Sequence, residues 1–360
     1  MRIAAARVRL QRLEFARPVR TSLGEFTERR SVILSLTDAE GRIGLGEAAP
    51  WPGFGTESVE ESLAALEDAG PMLAHAEIQP GDWPPELALR LRNTSAARAA
   101  VQGALWDLAA RQARRPLSEH LASHVAPIRG AMLREVATHA LLAERSPGAL
   151  RDEAARARSL GFRAVKIKLG AERFEDDVAR ARAAREGLGP DLRLRGDANG
   201  AWTEAAAIEA LAVLAEFSFD FVEQPLPAGE LAGLARLRRR SPVRIALDES
   251  VATEEGALRA IATGAAQVCV LKPATLGGPA RAFEIAAMAR DAGCEVVFTH
   301  AFESAVGARH ALHCAAAFAE PHAIHGLCTQ GLFTHDCADP VNCTGGIALL
   351  TDAPGLGIAP

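Results

Sequence analysis

Lysine is almost absent from this chain of 360 residues. Of its 40 basic residues only Lys166, Lys168 and Lys272 are lysines, which leaves 37 arginines. Arginine replaces lysine readily on a solvated surface, yet its guanidinium keeps its proton at any working pH, whereas a crowded or desolvated amine releases one. Three retained lysines therefore point to three positions that need an amine. The bland alternative is survival by chance under a biased codon composition, and the places where the lysines fall decide against it below. Other scarcities exclude whole classes. With 40 basic against 45 acidic residues and a formal charge of -5, there is no cationic excess to grip nucleic acid or an anionic membrane. The N-terminal residues never build an apolar stretch of signal-peptide or membrane-spanning length, so a cytoplasmic location is expected. The six cysteines form no CxxC pair and none precedes Cys269, which argues for reduced thiols rather than a disulfide framework. No GxGxxG or GxxxxGK[ST] element follows a strand-like run, so the usual phosphate cradles are missing. A content of 49% hydrophobic residues excludes disorder, and the length suits two domains or one large barrel.

The chain changes character along its length. Residues 3–13, 30–38 and 43–47 are strand-like, the last two joined by the turn Asp38-Ala39-Glu40-Gly41. Helical stretches follow at 57–76, with Thr56 and Ser58 near a capping position, and at 95–113, where Val101, Leu105 and Leu108 form an apolar stripe. From about residue 135, eight short apolar runs alternate with Ala-, Arg- and Glu-rich segments of helical length: VATHALL, FRAVKIK, LRLRGD, FDFVE, VRIALD, QVCVLK, EVVFT and HAIHGL. Such repeats imply an α/β fold of parallel strands with crossover helices, and eight of them favour a closed TIM-type barrel over an open sheet.

In a parallel barrel the chemistry lies at the C-terminal ends of the strands. Here the second run ends in Lys166-Ile167-Lys168, the third in Asp197, the fourth in Glu223, the fifth in Asp248-Glu249 and the sixth in Lys272. The steps from Asp197 to Glu223, Asp248 and Lys272 are 26, 25 and 24 residues, one strand–helix unit each. Three carboxylates on adjacent strands would meet at one mouth, where their repulsion is costly without a cation. A hard divalent ion with oxygen ligands resolves this, Mg²⁺ first and Mn²⁺ second. Lys166 and Lys168, at i and i+2, share a face, so each ammonium is expected to depress the other's pKa and to furnish a base near neutral pH. Each carboxylate alone has an ordinary explanation: Asp197 in Asp-Ala-Asn-Gly as a turn residue, Asp248-Glu249-Ser250 as a helix cap. Three carboxylates and all three lysines on five successive strand ends do not.

With the motifs Lys166-Ile-Lys168, Asp197-Ala-Asn199, Glu223-Gln-Pro225, Asp248-Glu-Ser250 and Lys272-Pro273, the chain resembles the enolase superfamily, in its muconate-lactonizing branch, over nearly its whole length. The resemblance implies an N-terminal α+β capping domain (1–125) and a modified (β/α)7β TIM-type barrel (126–334), with the tail 335–360 returning to the cap. It implies that Asp197, Glu223 and Asp248 ligate Mg²⁺, supported from behind by Asn199 and Glu249. It also implies that Lys168 takes the α-proton of a small carboxylate substrate, that Lys166 tunes it, and that charge developing on the substrate is stabilised by the metal.

Three stretches are similar to o-succinylbenzoate synthases: the loop Gly44-Leu-Gly-Glu47-Ala-Ala-Pro50-Trp-Pro52-Gly53-Phe54-Gly-Thr-Glu57-Ser58, the eighth-run region His325-Gly326-Leu327-Cys328-Thr329 with Phe333 and Asp336 beyond it, and Arg195. The implied reaction is dehydration of the cyclohexadiene carboxylate of the menaquinone pathway. Lys168 removes the proton and then helps expel hydroxide from the same face, while Lys272 stabilises the enediolate. The runner-up is a racemase of N-acylamino acids or an epimerase of dipeptides, in which Lys272 is the opposite acid/base; the run HAIHGLCTQG lacks the Asp-x-Asp that usually holds a dipeptide ammonium. A non-catalytic binding barrel is the alternative of another class, but it has no reason to retain three lysines. Expected substrate contacts are Arg195, Phe54, His300, Glu303, Ser304 and Gly326, and a homo-oligomer is compatible with the sequence.

Six of the ten histidines and four of the six cysteines fall between His300 and Cys343. Their spacing matches no zinc pattern, and His310, His313 and Cys314 fall on an Ala-rich helix, where a hydrogen-bonded core role is expected. Trp51 and Phe54, flanked by Pro and Gly, are expected on a loop covering the barrel mouth. Arg238-Arg239-Arg240 is expected to be a solvated helix end.

Overall fold

The computed structural model describes residues 1–21, 24–125, 132–320, 322–328 and 331–359. The N-terminal strands β1 (Ile3–Thr21), β2 (Gly24–Asp38) and β3 (Ile43–Ala48) form an antiparallel sheet in that order. β1 and β2 run further than their apolar patterns suggest. Their ladder resumes at Val19 opposite Phe26 after an irregularity beyond Glu14. Helices α1 (Val59–Leu73) and α3 (Ser95–Gln112) pack on this sheet, with α2 (Pro85–Arg90) against α1 and α4 (Leu117–His124) against α3. Ser58 and Glu61 form a reciprocal capping box that starts α1. The Ala-rich α3 lies almost backbone to backbone on β3. A Cβ on Gly44 would come 2.2 Å from the Ala104 carbonyl, and one on Gly46 would come 1.8 Å from that of Ala100. Only glycine admits this approach.

The expected boundary between cap and barrel opens a segment, 126–131, outside the described residues. After β4 (Glu135–Ala137) come β5 (Ala140–Leu141), α5 (Pro147–Ser159), β6 (Ala164–Lys168), α6 (Phe174–Leu188), β7 (Arg193–Asp197) and α7 (Glu204–Leu214). Then follow β8 (Phe219–Glu223), α8 (Leu231–Arg240), β9 (Ile245–Leu247), α9 (Glu254–Thr263), β10 (Val268–Leu271), α10 (Pro279–Asp291), β11 (Glu295–Phe298) and α11 (Ala305–Phe318). Strands β5 to β11 make one parallel sheet in sequence order. The eighth apolar run forms no full strand. It closes the curl through single bridges, Thr299 to Gly326 on one side and Thr138 to His325 on the other. The fold is thus the modified barrel with an N-terminal cap. Phe221, Ala246, Val268, Val270 and Val297 fill its interior, while the larger core lies between strands and helices.

Among the described residues no eighth helix follows. Instead β12 (Cys343–Thr344) and β13 (Ile347–Leu349) add antiparallel pairs beside β4, and the tail reaches the cap, where Leu117 N donates to Gly355 O at 2.8 Å and Leu356 N to Asp107 at 2.8 Å. Among the described residues no helix is long and apolar enough to cross a membrane.

Candidate active site

The register of β6, β7 and β8 sets Lys168, Asp197 and Glu223 side by side at the C-terminal edge of the sheet. Asp248 and Lys272 lie one residue past the ends of β9 and β10. Two residues before Lys168 and on the same face, Lys166 Nζ lies 3.1 and 3.2 Å from the two Glu223 oxygens and 3.5 Å from Asp197 Oδ2. Lys168 Nζ donates to Asp197 Oδ2 and to Asn199 Oδ1, both at 2.8 Å, and Lys272 donates to Asp248 Oδ1. The lysines differ in access. Lys168 keeps 33% of its side chain exposed against 12% for Lys166 and 6% for Lys272, so it is the amine most open to an incoming molecule.

Asp197, Glu223 and Asp248 are buried, with Glu249 beside them. Burial raises the Glu223 pKa, and the charges of Asp197 and Asp248 raise it further against the pull of Lys166. Burial and then Asp248 and Asp197 push Glu249 up to about 7. In Asp197 the two lysines outweigh burial and hold the carboxyl below its ordinary value. The expectation that neighbouring ammoniums lower one another fails for Lys166. Burial does work against its charge, but Glu223, Asp197 and Asp248 together outweigh it, and its pKa ends up raised.

Two polar side chains organise this mouth. Asn199, in the left-handed region at φ 45°, accepts from Lys168, and its amide donates to Glu249 Oε1 at 2.9 Å. Gln224, fully buried and also left-handed at φ 41°, donates to Leu226 O and Ser250 Oγ and accepts from the backbone N–H groups of Asp248 and Ser250. It ties the end of β8 to the loop carrying Asp248. The sequence quotes this residue inside Glu223-Gln-Pro225 but gives it no task; a glutamine between a strand-end carboxylate and a proline was the available signal.

The chemistry of the donors fits a hard divalent cation. The candidate ligands are carboxylate oxygens, they outnumber the amines around them, and Glu249 Oε2 is buried with no hydrogen-bond partner. As the side chains stand, no three such groups among the described residues close on one point. The lysine ammoniums occupy the carboxylate oxygens instead.

A roof descends from the cap. The loop after β3 carries Trp51 and the 3-10 turn Pro52–Phe54, and the Lys272 ammonium lies 4.5 Å from the Phe54 ring centroid. Trp51 is buried and packs on Phe54, Phe26 and Phe302. His300, past β11, accepts from Phe302 N at 3.1 Å through Nδ1. Burial, then Lys272 and Lys166, lowers its pKa to about 3, so the ring is neutral and its other nitrogen carries the proton.

Four of the expected substrate contacts have partners of their own within the fold. Arg195 is fully buried below Asp197, toward the opposite end of the barrel. Its Nε donates to Asp220 at 3.0 Å, Nη1 donates to Ile324 O at 2.6 Å, and the guanidinium stacks on Phe221. The resemblance implied a place near the substrate, but its long side chain turns away from the mouth. Gly326 serves closure: a Cβ there would come 2.6 Å from Thr299 Oγ1 and 3.1 Å from the His139 ring. Glu303 accepts from Ala301 N, and burial and then Glu47 raise it to about 7. Ser304 caps α11 and donates to Glu47. Thr329 lies outside the described residues. His310 and His313 are buried core groups, one against Leu45 O, the other accepting from Ser118 N.

Two family models together span most of the chain: the mandelate racemase / muconate lactonizing enzyme N-terminal domain over residues 3–122 and the enolase C-terminal domain-like model over 149–360. A hydrophobic dipeptide epimerase of Enterococcus faecalis is 30% identical, covering 100% of both chains. An o-succinylbenzoate synthase of Geobacillus stearothermophilus is also 30% identical, over 96% of this chain and 90% of its own. Among solved structures, a dipeptide epimerase of E. faecalis complexed with Mg and L-Leu-L-Tyr superposes with a TM-score of 0.90 at 28% identity, covering 100% of both chains. An N-succinyl Arg/Lys racemase of Bacillus cereus gives 0.89 at 26%, covering 100% and 95%.

Proposed function

Since the chain belongs to the enolase superfamily, we propose that it is a Mg²⁺-dependent carbon–oxygen lyase, an o-succinylbenzoate synthase, that removes the proton α to a substrate carboxylate. The observation that carries this reading is the mouth itself: the three lysines of an otherwise arginine-only chain surround three buried carboxylates on adjacent strand ends. Asp197, Glu223 and Asp248 would hold the cation, which when bound supplies positive charge against the negative charge that grows on the substrate carboxylate.

Lys168 is the base. It is the most open of the three amines, and Asn199 and Asp197 hold its nitrogen at the edge of the mouth. To act it must arrive uncharged. It then takes the α-proton, becomes an ammonium, and returns that proton to the departing hydroxide on the same face; the C–H electron pair becomes the new ring double bond, the C–O pair leaves on oxygen, and water is released. Lys166, set between Glu223 and Asp197, stays charged and holds both carboxylates in place. Lys272 lies on the far side against Asp248, where its ammonium faces developing negative charge, and Phe54 covers it from water. The absence of an acid from residues 322–328 removes the usual partner of a dipeptide ammonium and favours substrates without one.

A second reading rests on the same flanking amines. With Lys168 on one side and Lys272 on the other, a proton could leave one face and return to the opposite one, as racemisation of an N-acylamino acid requires. Purified protein assayed with Mg²⁺ on the cyclohexadiene carboxylate, N-succinylamino acids and an Ala-Glu dipeptide separates the readings. Efficient dehydration that disappears in Lys168→Arg is the expected result. Efficient racemisation with feeble dehydration would replace the synthase by a racemase, and no turnover on any of them would remove the catalytic reading.

A further inference from the structure

Glu47 belongs to the cap, near the end of β3, yet its carboxylate is spent on the barrel. Oε1 accepts from Ser304 N at 3.1 Å, and Oε2 accepts from Ser304 Oγ at 2.5 Å and from Gly307 N at 2.9 Å. These groups form the N-terminus of α11, where a negative charge is favoured by the helix dipole. The accounting of that helix start is complete. Ala305 N goes to Asp336 of the C-terminal tail, Val306 N to Ser304 Oγ and Gly307 N to Glu47. Gly307 has to be glycine, because a Cβ there would come 2.5 Å from Glu303 Cβ and 3.0 Å from Glu47 Oε2. Glu47 and Ser304 are both buried, Glu47 to 4% exposure.

A second tie crosses the same junction. Arg29 of β2 donates to Ala49 O at 2.7 Å and to Pro50 O at 2.8 Å, reaches Ala301 O at 3.4 Å, and lies 4.6 Å from the Trp51 ring centroid. Both ties therefore grip the first residues of the loop that delivers Phe54 to Lys272. A loop of this kind, rich in Pro and Gly, has little else to fix it.

We propose that Glu47, locked to Ser304 and Gly307, is a positioning residue that holds the cap loop 48–55 over the barrel mouth and so keeps Phe54 on the Lys272 ammonium. The proposal rests on the reading of Lys272 as part of the catalytic mouth, and it reassigns Ser304 from a substrate contact to this latch.

Amide hydrogen exchange of the full-length protein without substrate tests it, in wild type, Glu47→Gln, Ser304→Ala, Ser304→Thr and the Glu47→Gln/Ser304→Ala double variant. In Glu47→Gln an amide NH₂ replaces one acceptor where only donors face it, and Ser304→Ala deletes a single hydroxyl and leaves the fold least disturbed. Exchange across 48–55 should quicken about tenfold in each single variant, with exchange in β6–β10 unchanged, as expected for loss of a hydrogen bond to a charged group at a locally opening segment. The double variant should gain little beyond either single one, and Ser304→Thr should stay near wild type. With whichever substrate is turned over, KM should rise more than kcat falls. Unchanged exchange at 48–55 in both single variants, or equal acceleration by Ser304→Thr and Ser304→Ala, would overturn the latch. Because exchange is read without substrate, a protein with no turnover refutes the catalytic reading alone, and a turning-over protein with a rigid loop in both variants refutes the latch alone.

Discussion

The two ends of the barrel are charge clusters built on the same strands, and they use different cations. At the C-terminal mouth, Lys166, Lys168 and Lys272 face Asp197, Glu223 and Asp248. At the N-terminal end, Arg195 and Arg244 face Asp220 and Glu295, with Arg195 Nε 3.0 Å from Asp220 and Arg244 Nη2 2.7 Å from Glu295. Only one residue separates Arg195 from Asp197 on β7. The arginine end is closed by forked, permanent charges that also satisfy Ile324 O at the closing segment. The lysine end is held by single ammonium groups on carboxylate oxygens, of which Lys168 is the most open. Where the barrel needs holding it uses arginine, and where chemistry is proposed it keeps an amine.

The comparison breaks first if the bottom is not structural. Arg195→Met removes a fully buried guanidinium and leaves Asp220 and Ile324 O without it, so urea unfolding should show a loss of about 3–5 kcal/mol, with KM of the remaining folded enzyme close to wild type. A smaller effect sharpens the upper half. Mg²⁺ at about a hundredfold over its Kd should stabilise the protein by about 2.7 kcal/mol in thermal or urea unfolding, by mass action. Asp197→Asn should abolish that shift and Arg195→Met should leave it intact.

The smallest effect concerns the junction between cap and barrel. Burial holds His310 down to about 4 and His313 down to about 3, both below their unfolded value near 6.5. Below that pH the unfolded chain binds protons the folded chain refuses. Stability is therefore complete above about pH 6.5 and falls as the pH drops toward 4, by at most about 1.4 kcal/mol per pH unit for each such histidine. In His313→Gln the slope of unfolding free energy between pH 6.5 and 4.5 should be shallower by one proton; an identical slope would show that His313 titrates freely in the folded protein.

Much of this was legible in the sequence because strand ends in a parallel barrel announce themselves. An apolar run closed by Lys, Asp or Glu leaves few choices, and i, i+2 parity put Lys166 with Lys168 on one face. Parity does not say which way a long side chain turns, and Arg195 turned down. Nor does local pattern reveal contacts between residues 257 apart, such as Glu47 and Ser304, which is why Ser304 and Glu303 were expected at the substrate. The eighth run was visible as an apolar segment, but its closure by isolated bridges depends on neighbours on both sides. The hairpin extension of β1 and β2 escaped notice because its residues are mostly polar and carry no alternating apolar signal.

The most direct test of the division between the two ends is a reciprocal exchange, Lys168→Arg and Arg195→Lys, each read for kcat and for unfolding free energy. Lys168→Arg should lower kcat by about 10³-fold, within the range of a lost general base, and leave stability nearly unchanged, whereas Arg195→Lys should lower stability and leave kcat within a few fold. An active Lys168→Arg enzyme would contradict the account, because an arginine cannot supply the base that the mouth is proposed to hold.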